Sequence, residues 1–310
     1  MSSHLDRVVV IGNAGIDSNV YLPGADIDFS VEGNFTENLD TVGQAGGYSA
    51  RGYAALGRPT AFIGHVGDDY HGQLVRQTLT NDGIDLSALF IDPQGTARSV
   101  NIMYRDGRRR NFYDGKGHMG LGVDLDRCHA VLNGARLVHV HLPNWARTLL
   151  PLARAAGLLI AVDIQDVTDP HDPYRQDFID AADVLFFSAA NFDDPTPLIR
   201  QFGVGRPERV VVCGMGGHGC GLGVGGAVHF FPPPPLDWPV VDTNGAGDAL
   251  AVGFLDGYVF GNLSPAAAVL RGQVAARHTC ALRGTSDGLI DRTRLDALTL
   301  QVNQKMAAGN

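Results

Sequence analysis

Asp242-Thr243-Asn244-Gly245-Ala246-Gly247-Asp248-Ala249-Leu250 is the stretch on which the fold turns. The residues after it, Val252, Gly253, Phe254 and Leu255, continue Ala249 and Leu250 as a buried helix, and Val240-Val241 before it read as the end of a strand. The Gly245-Ala246-Gly247 turn therefore sits at a helix N-terminus. Free backbone N–H groups and the positive end of the helix dipole converge there on one spot, and glycine lets an anion approach without a side chain in the way. Asp248 is the odd member, because a carboxylate repels a resting phosphate. Its presence makes sense if it holds a substrate hydroxyl in line with phosphorus and accepts its proton. A helix-capping Asp behind a tight glycine turn satisfies the same string, and the local pattern does not separate the two.

Composition limits what else the chain does. With 310 residues, 45% hydrophobic and 18% charged, it is an ordinary globular protein with room for a large α/β core. A formal charge of −9 argues against a nucleic-acid partner, which needs a basic face. Cys128, Cys213, Cys220 and Cys280 include no Cys-x-x-Cys pair, so reduced thiols in a cytoplasmic protein are expected. Met1-Ser2-Ser3-His4 leads straight into the strand Arg7 to Gly12, too short a start for a signal peptide, and no apolar run is long enough to span a bilayer.

Outward from the signature the chain alternates strand and helix. Val8-Val9-Val10-Ile11 is a continuous β-branched run, as for a strand buried on both faces of a parallel sheet. Asn13-Ala14-Gly15-Ile16-Asp17 follows it without the Gly-x-Gly-x-x-Gly and helix of a dinucleotide site. Further strands are read at 137–142, 158–163, 184–187 and 210–213, implying a parallel sheet with helices on both faces. His139 and His141 share a strand face, but with no third ligand near in sequence they read as packed residues. Residues 99–113 form a hairpin pattern about Asp106-Gly107, and Arg108, Arg109 and Arg110 after the turn read as a solvated edge.

Asp-Thr-x-Gly-Ala-Gly-Asp, complete here as Asp242 to Asp248, resembles the signature of the ribokinase-like (PfkB) carbohydrate and nucleoside kinases. The block Ala61 to Gly72 and the Gly46-Gly47 pair opening a helix that closes at Gly57 are similar to the same family. The resemblance runs from about Arg7 to Ile290. It implies Asp248 as catalytic base, with the Gly245, Ala246 and Gly247 amides as anion hole. Asp17, Gly46, Gly47 and residue 51 are implied to meet the acceptor. Asp242, Thr243 and a glycine turn of Gly214, Gly216 and Gly219 are implied beside the nucleotide, with adenine near Arg283-Gly284-Thr285.

Two motifs depart from the family. Arg51 stands where an Asn is usual; it pairs with Asp17, meets an anionic acceptor, or faces solvent, and the Asp17 pair is favoured because an unpaired Asp would oppose an anion. Ser188-Ala189-Ala190-Asn191 replaces Asn-x-x-Glu, which leaves Asn191 and Ser188 to reach Mg²⁺ through water and Asp193 or Asp194 to substitute for the lost carboxylate.

The expected architecture is α/β and ribokinase-like: one domain, residues 1–310, with a doubly wound, mostly parallel sheet and a small β lid from insertions at about 18–43 and 98–115. The expected activity is ATP-dependent phosphorylation of a hydroxyl on a sugar or sugar-like molecule, with ATP, Mg²⁺ and a monovalent cation such as K⁺. A nucleoside kinase of the same fold and a non-catalytic ligand-binding member are the alternatives. No nucleic acid and no membrane partner is expected, and the bare edge of so small a sheet predicts a homodimer through the lid.

Overall fold

The computed structural model of the chain describes residues 6–308 except 285 and 287. Met1 to His4 and Thr285, invoked above, lie outside the described residues. In chain order the first elements are β1 (Val8–Ile11), β2 (Gly15–Tyr21), β3 (Glu37–Gly43), α1 (Ala45–Ala55), β4 (Thr60–Val66), α2 (Tyr70–Asn81), β5 (Asp85–Ile91), β6 (Arg98–Met103) and β7 (Arg109–Asp114). Next come α3 (Leu125–Leu132), β8 (Leu137–Val140), α4 (Leu150–Ala155), β9 (Leu159–Asp166), α5 (Pro173–Ala181), β10 (Val184–Ser188) and α6 (Thr196–Gly203). The last are β11 (Val210–Gly214), β12 (Cys220–Val224), β13 (Ala227–Phe231), α7 (Ala246–Leu255), α8 (Pro265–Cys280) and α9 (Arg292–Ala308).

Nine strands form one sheet in the order β13-β12-β11-β10-β9-β8-β1-β4-β5, parallel from β11 to β5 and antiparallel at β12 and β13. The four residues of β1 are wholly buried, as a strand covered on both faces must be. Two apolar clusters, one per face, form the core. From β1 the chain winds outward through β4 and β5, then resumes on the other side with β8, β9 and β10. The seam between β1 and β8 is thus a topological switch point, where a crevice opens at the carboxyl ends of the strands.

β2, β3, β6 and β7 form a separate sheet in the order β3-β2-β6-β7. Its registers place Asp17 beside Thr41 and Ser99, Asn19 beside Asn101, Ser99 beside Tyr113, Asn101 beside Asn111, and Met103 beside Arg109. The odd-numbered residues therefore share one face, and most of them are polar.

α7 is apolar on all sides and packs on α8 at Gly272, where a Cβ would stand 2.5 Å from the Leu250 carbonyl. Val240 and Val241 do not belong to a strand. The chain between β13 and α7 is irregular, stiffened by prolines, and the Val241 amide bonds the Cys280 carbonyl at 2.7 Å. A lone apolar pair cannot carry a strand where Pro239 removes a ladder donor.

Candidate active site

The signature forms a tight turn held by its own first carboxylate. Asp242 is wholly buried; it accepts the Asn244 amide at 2.8 Å and the Tyr21 hydroxyl at 2.6 Å. Gly245 precedes α7 with φ 71°, a left-handed conformation that a side chain would strain. Gly247 is exposed, and a Cβ built there would meet nothing within 4 Å, so the first turn of α7 opens onto free space. The Gly245 and Gly247 amides of that turn can receive an anion, while the Ala246 amide donates to the Thr243 carbonyl at 3.3 Å.

Asp248, in the same turn, meets two residues that sequence reasoning did not place with it. Ligand atoms of His141, at the end of β8, of Asp163, on β9, and of Asp248 all lie within 4.8 Å of one another. Burial drives the Asp248 carboxyl well above the usual carboxylate range, the charges of Asp163 and Asp17 push it further, and the Arg109 guanidinium opposes them. Burial likewise raises Asp163 to about 6, against a backbone hydrogen bond from Gln165 at 2.8 Å. His141 is buried and neutral. Its Nε2 meets the Ser49 hydroxyl at 3.1 Å, its Nδ1 has no hydrogen-bond partner, and His139 stacks on it at 4.6 Å. His139 itself is only packed and bonded to Tyr53 at 3.2 Å. Both histidines are packed and hydrogen-bonded, as expected, and the two carboxylates near His141 come from β9 and from the first turn of α7.

Asp17 lies in β2, 3% exposed, at the centre of a second network. Gln44 Nε2 donates to it at 2.6 Å, the Tyr48 hydroxyl at 2.7 Å and Asn244 Nδ2 at 3.2 Å. Gly46 sits against β1: a Cβ there would stand 2.7 Å from the Asn13 carbonyl, which accepts the Gly47 amide at 3.1 Å. The odd face of the small sheet closes on the signature. Arg109 Nη1 donates to Asn244 Oδ1, Asn13 Nδ2 donates to the Tyr113 hydroxyl, and the Thr243 hydroxyl reaches the Gly107 carbonyl at 3.5 Å. Of the three arginines read as a solvated edge, Arg109 is thus tied to the signature, because period two puts it on the same face as Asn111 and Tyr113.

Arg51 does not pair with Asp17. Its Nε donates to Asp82 at 2.6 Å and its Nη1 to the Val42 carbonyl at 3.4 Å, so its charge is neutralised at the end of α2. Asn191 is turned away as well, with its Nδ2 on the Val167 carbonyl at 3.0 Å. Gly214, Gly216 and Gly219 form the turn joining β11 to β12. Gly214 pairs with Ser188 of β10, and a Cβ built on it would stand 3.7 Å from Leu250 of α7; Gly219 has φ 93° with no room for a Cβ beside the Phe231 carbonyl.

The sequence profile of the pfkB family of carbohydrate kinases matches residues 5–292. The chain belongs to the pfkB family. It is 32% identical over 303 residues to the acarbose 7(IV)-phosphotransferase of an Actinoplanes species, covering 95% of this chain and 98% of that one. It is 30% identical over 219 residues to the fructoselysine 6-kinase of Escherichia coli, 71% of this chain and 82% of the relative. The microbiome-derived acarbose kinase Mak1 superposes with a TM-score of 0.86 at 29% identity, over 96% of this chain and 99% of that one. Arabidopsis thaliana ribokinase shares the fold, with a TM-score of 0.77 at 21% identity over 95% and 99% of the two chains. The pfkB architecture, a large mostly parallel sheet flanked by helices with a smaller sheet beside it, is therefore that of this protein. Homologues are kinases acting on sugar hydroxyls, and this chain is a carbohydrate kinase of that family. Among the described residues, no helix is long and apolar enough to cross a membrane.

His141 and Asp163 left one usable trace in the sequence: each lies near the carboxyl end of an apolar strand run, the place where an open α/β sheet presents ligands.

Proposed function

We propose that this pfkB-family chain transfers the γ-phosphoryl group of ATP to a hydroxyl of a saccharide, with Asp248 as general base and the Gly245 and Gly247 amides receiving the transferred group. The observation that carries the reading is the position of Asp248 in the first turn of α7, beside an unobstructed Gly247 and opposite the polar face of the small sheet. That face is a row of Asn19, Asn101 and Asn111 joined by hydrogen bonds of 3.0 and 2.8 Å, continued by Tyr113 and Arg109. Such a row suits a polyhydroxylated acceptor, and the small sheet then acts as a lid. A base with a raised pKa works closer to neutral pH, and the charge of Arg109 limits how far the rise goes.

Mg²⁺ carried with the nucleotide would neutralise phosphate charge. The donor set fits: Asp163 is a buried carboxylate on β9, next to β10, whose altered Ser188-Ala189-Ala190-Asn191 offers none. The outer edge of β7, exposed at all six residues, supports a homodimer through the lid.

Acarbose is the first acceptor to try, since the acarbose 7(IV)-phosphotransferase and the acarbose kinase Mak1 are similar to this chain over more than nine-tenths of its length, at 32% and 29% identity. The test is ADP release with Mg-ATP across acarbose, fructoselysine, fructose, ribose and adenosine. Release with a saccharide and none with adenosine supports the proposal. Release with adenosine alone makes the chain a nucleoside kinase, and binding without release makes it a non-catalytic binder.

A further inference from the structure

Phosphoryl transfer by Asp248 gives no task to His141. Its ring is 1% exposed among apolar strands, one nitrogen is held by Ser49, and the other, Nδ1, has no partner. A buried nitrogen without a partner is costly unless something else uses it. Two carboxylates share its neighbourhood, and all three residues offer an atom within one 4.8 Å cluster. No hydrogen bond or ion pair neutralises Asp163 with an Arg or Lys among the described residues, so the cluster concentrates negative charge.

We propose that His141, Asp163 and Asp248 form a binding site for a first-row divalent transition ion of the Zn²⁺ or Co²⁺ class, and that its occupancy silences the kinase by capping Asp248. One imidazole and two carboxylates are a donor set that such ions accept, whereas Mg²⁺ prefers oxygen alone. Donors that share one ion at about 2.0–2.2 Å stand about 3.5 Å apart in a tetrahedral site, so a cluster spread over as much as 4.8 Å closes by roughly 1 Å as the side chains turn. The hydroxyl of Ser49 on the far ring nitrogen is the outer contact that orients a ligating histidine. The binding half of the proposal stands on these three residues alone; the silencing half rests on Asp248 being the base.

Co²⁺ reports the test directly, because its visible spectrum changes when it leaves water for nitrogen and carboxylate ligands. The full chain, freed of metal by chelator and dialysis, is titrated with Co²⁺ and with Zn²⁺ by spectroscopy and calorimetry. One ion per chain is expected, displaced by Zn²⁺ and not by Mg²⁺, with affinity lowered at least about tenfold in His141→Gln. Asp163→Asn, which keeps the shape and the Gln165 contact, gives the same loss and serves if His141→Gln fails to fold. Absence of binding, or binding unchanged in both variants, overturns the site. Binding that depends on His141 but leaves ADP release untouched overturns the silencing, whereas the role of Asp248 as base is decided separately by the turnover of Asp248→Asn.

Discussion

Asp163→Asn should make this protein more stable and less active, and the stability gain has a defined dependence on pH. Burial lifts the Asp163 pKa from 3.8 to about 6, so the folded state holds its proton more tightly than the unfolded chain does. A carboxyl raised in this way contributes stability that is complete at low pH and is lost as pH climbs from about 4 through about 6. Two pKa units correspond to about 3 kcal/mol at neutral pH. Asn carries no charge, and its amide oxygen can still accept the Gln165 N–H that Asp163 accepts at 2.8 Å. The difference in unfolding free energy, variant over wild type, should therefore grow from under about 1 kcal/mol at pH 4 through about 2 at pH 5 to about 3 at pH 7. With an unfolding entropy of about 2.1 cal/mol/K per residue over roughly 300 residues, this is a Tm increase of about 5 °C at pH 7. Urea unfolding and calorimetry across that range measure it, with a chelator present so that no divalent cation neutralises the wild-type carboxylate. A variant no more stable than wild type at pH 7, or an advantage that does not shrink toward pH 4, would refute the reasoning.

Three further expectations follow from the site. Asp248→Asn should fold normally and lose about 10²- to 10⁴-fold in kcat with the best acceptor, and more than about a tenth of wild-type turnover would remove Asp248 from the role of base. Arg51→Asn should leave the acceptor KM unchanged and cost about 2 kcal/mol of stability by freeing Asp82, as thermal unfolding and initial rates together will show; a KM rise of tenfold without destabilisation would return Arg51 to the acceptor site. Arg109→Ala should lower kcat/KM about tenfold, about 1.4 kcal/mol, and leave Tm unchanged, because the arginine is exposed and its contact is to Asn244 of the signature; unaltered kinetics would reduce it to a surface contact.

The parts of the site that were legible in advance are those whose chemistry is local. Asp248 after a Gly-Ala-Gly turn, the helix that follows, and the buried strand Val8 to Ile11 each state their structure within a few residues, because helix caps, left-handed turns and hydrophobic period act at that range. The antiparallel β12 and β13 and the irregular path through Val240 and Val241 were not legible, since short apolar runs become strands only where a neighbour supplies hydrogen bonds.

The rest depended on which chain ends the sheet brings side by side. His141 and Asp163 meet Asp248 because β8 lies beside β9 next to the switch point and α7 begins near their carboxyl ends, and strand order is not encoded in the strands themselves. Arg109 joins the signature through a choice of face that one residue of register would reverse. Arg51 finds Asp82 rather than Asp17 because Gln44, Tyr48 and Asn244 already surround that carboxylate. The amino-acid sequence by itself determined the family and the glycine turn that opens α7. Tertiary structure decided which charges face one another, because electrostatic energy depends on distance and burial, and both are set only when the elements pack.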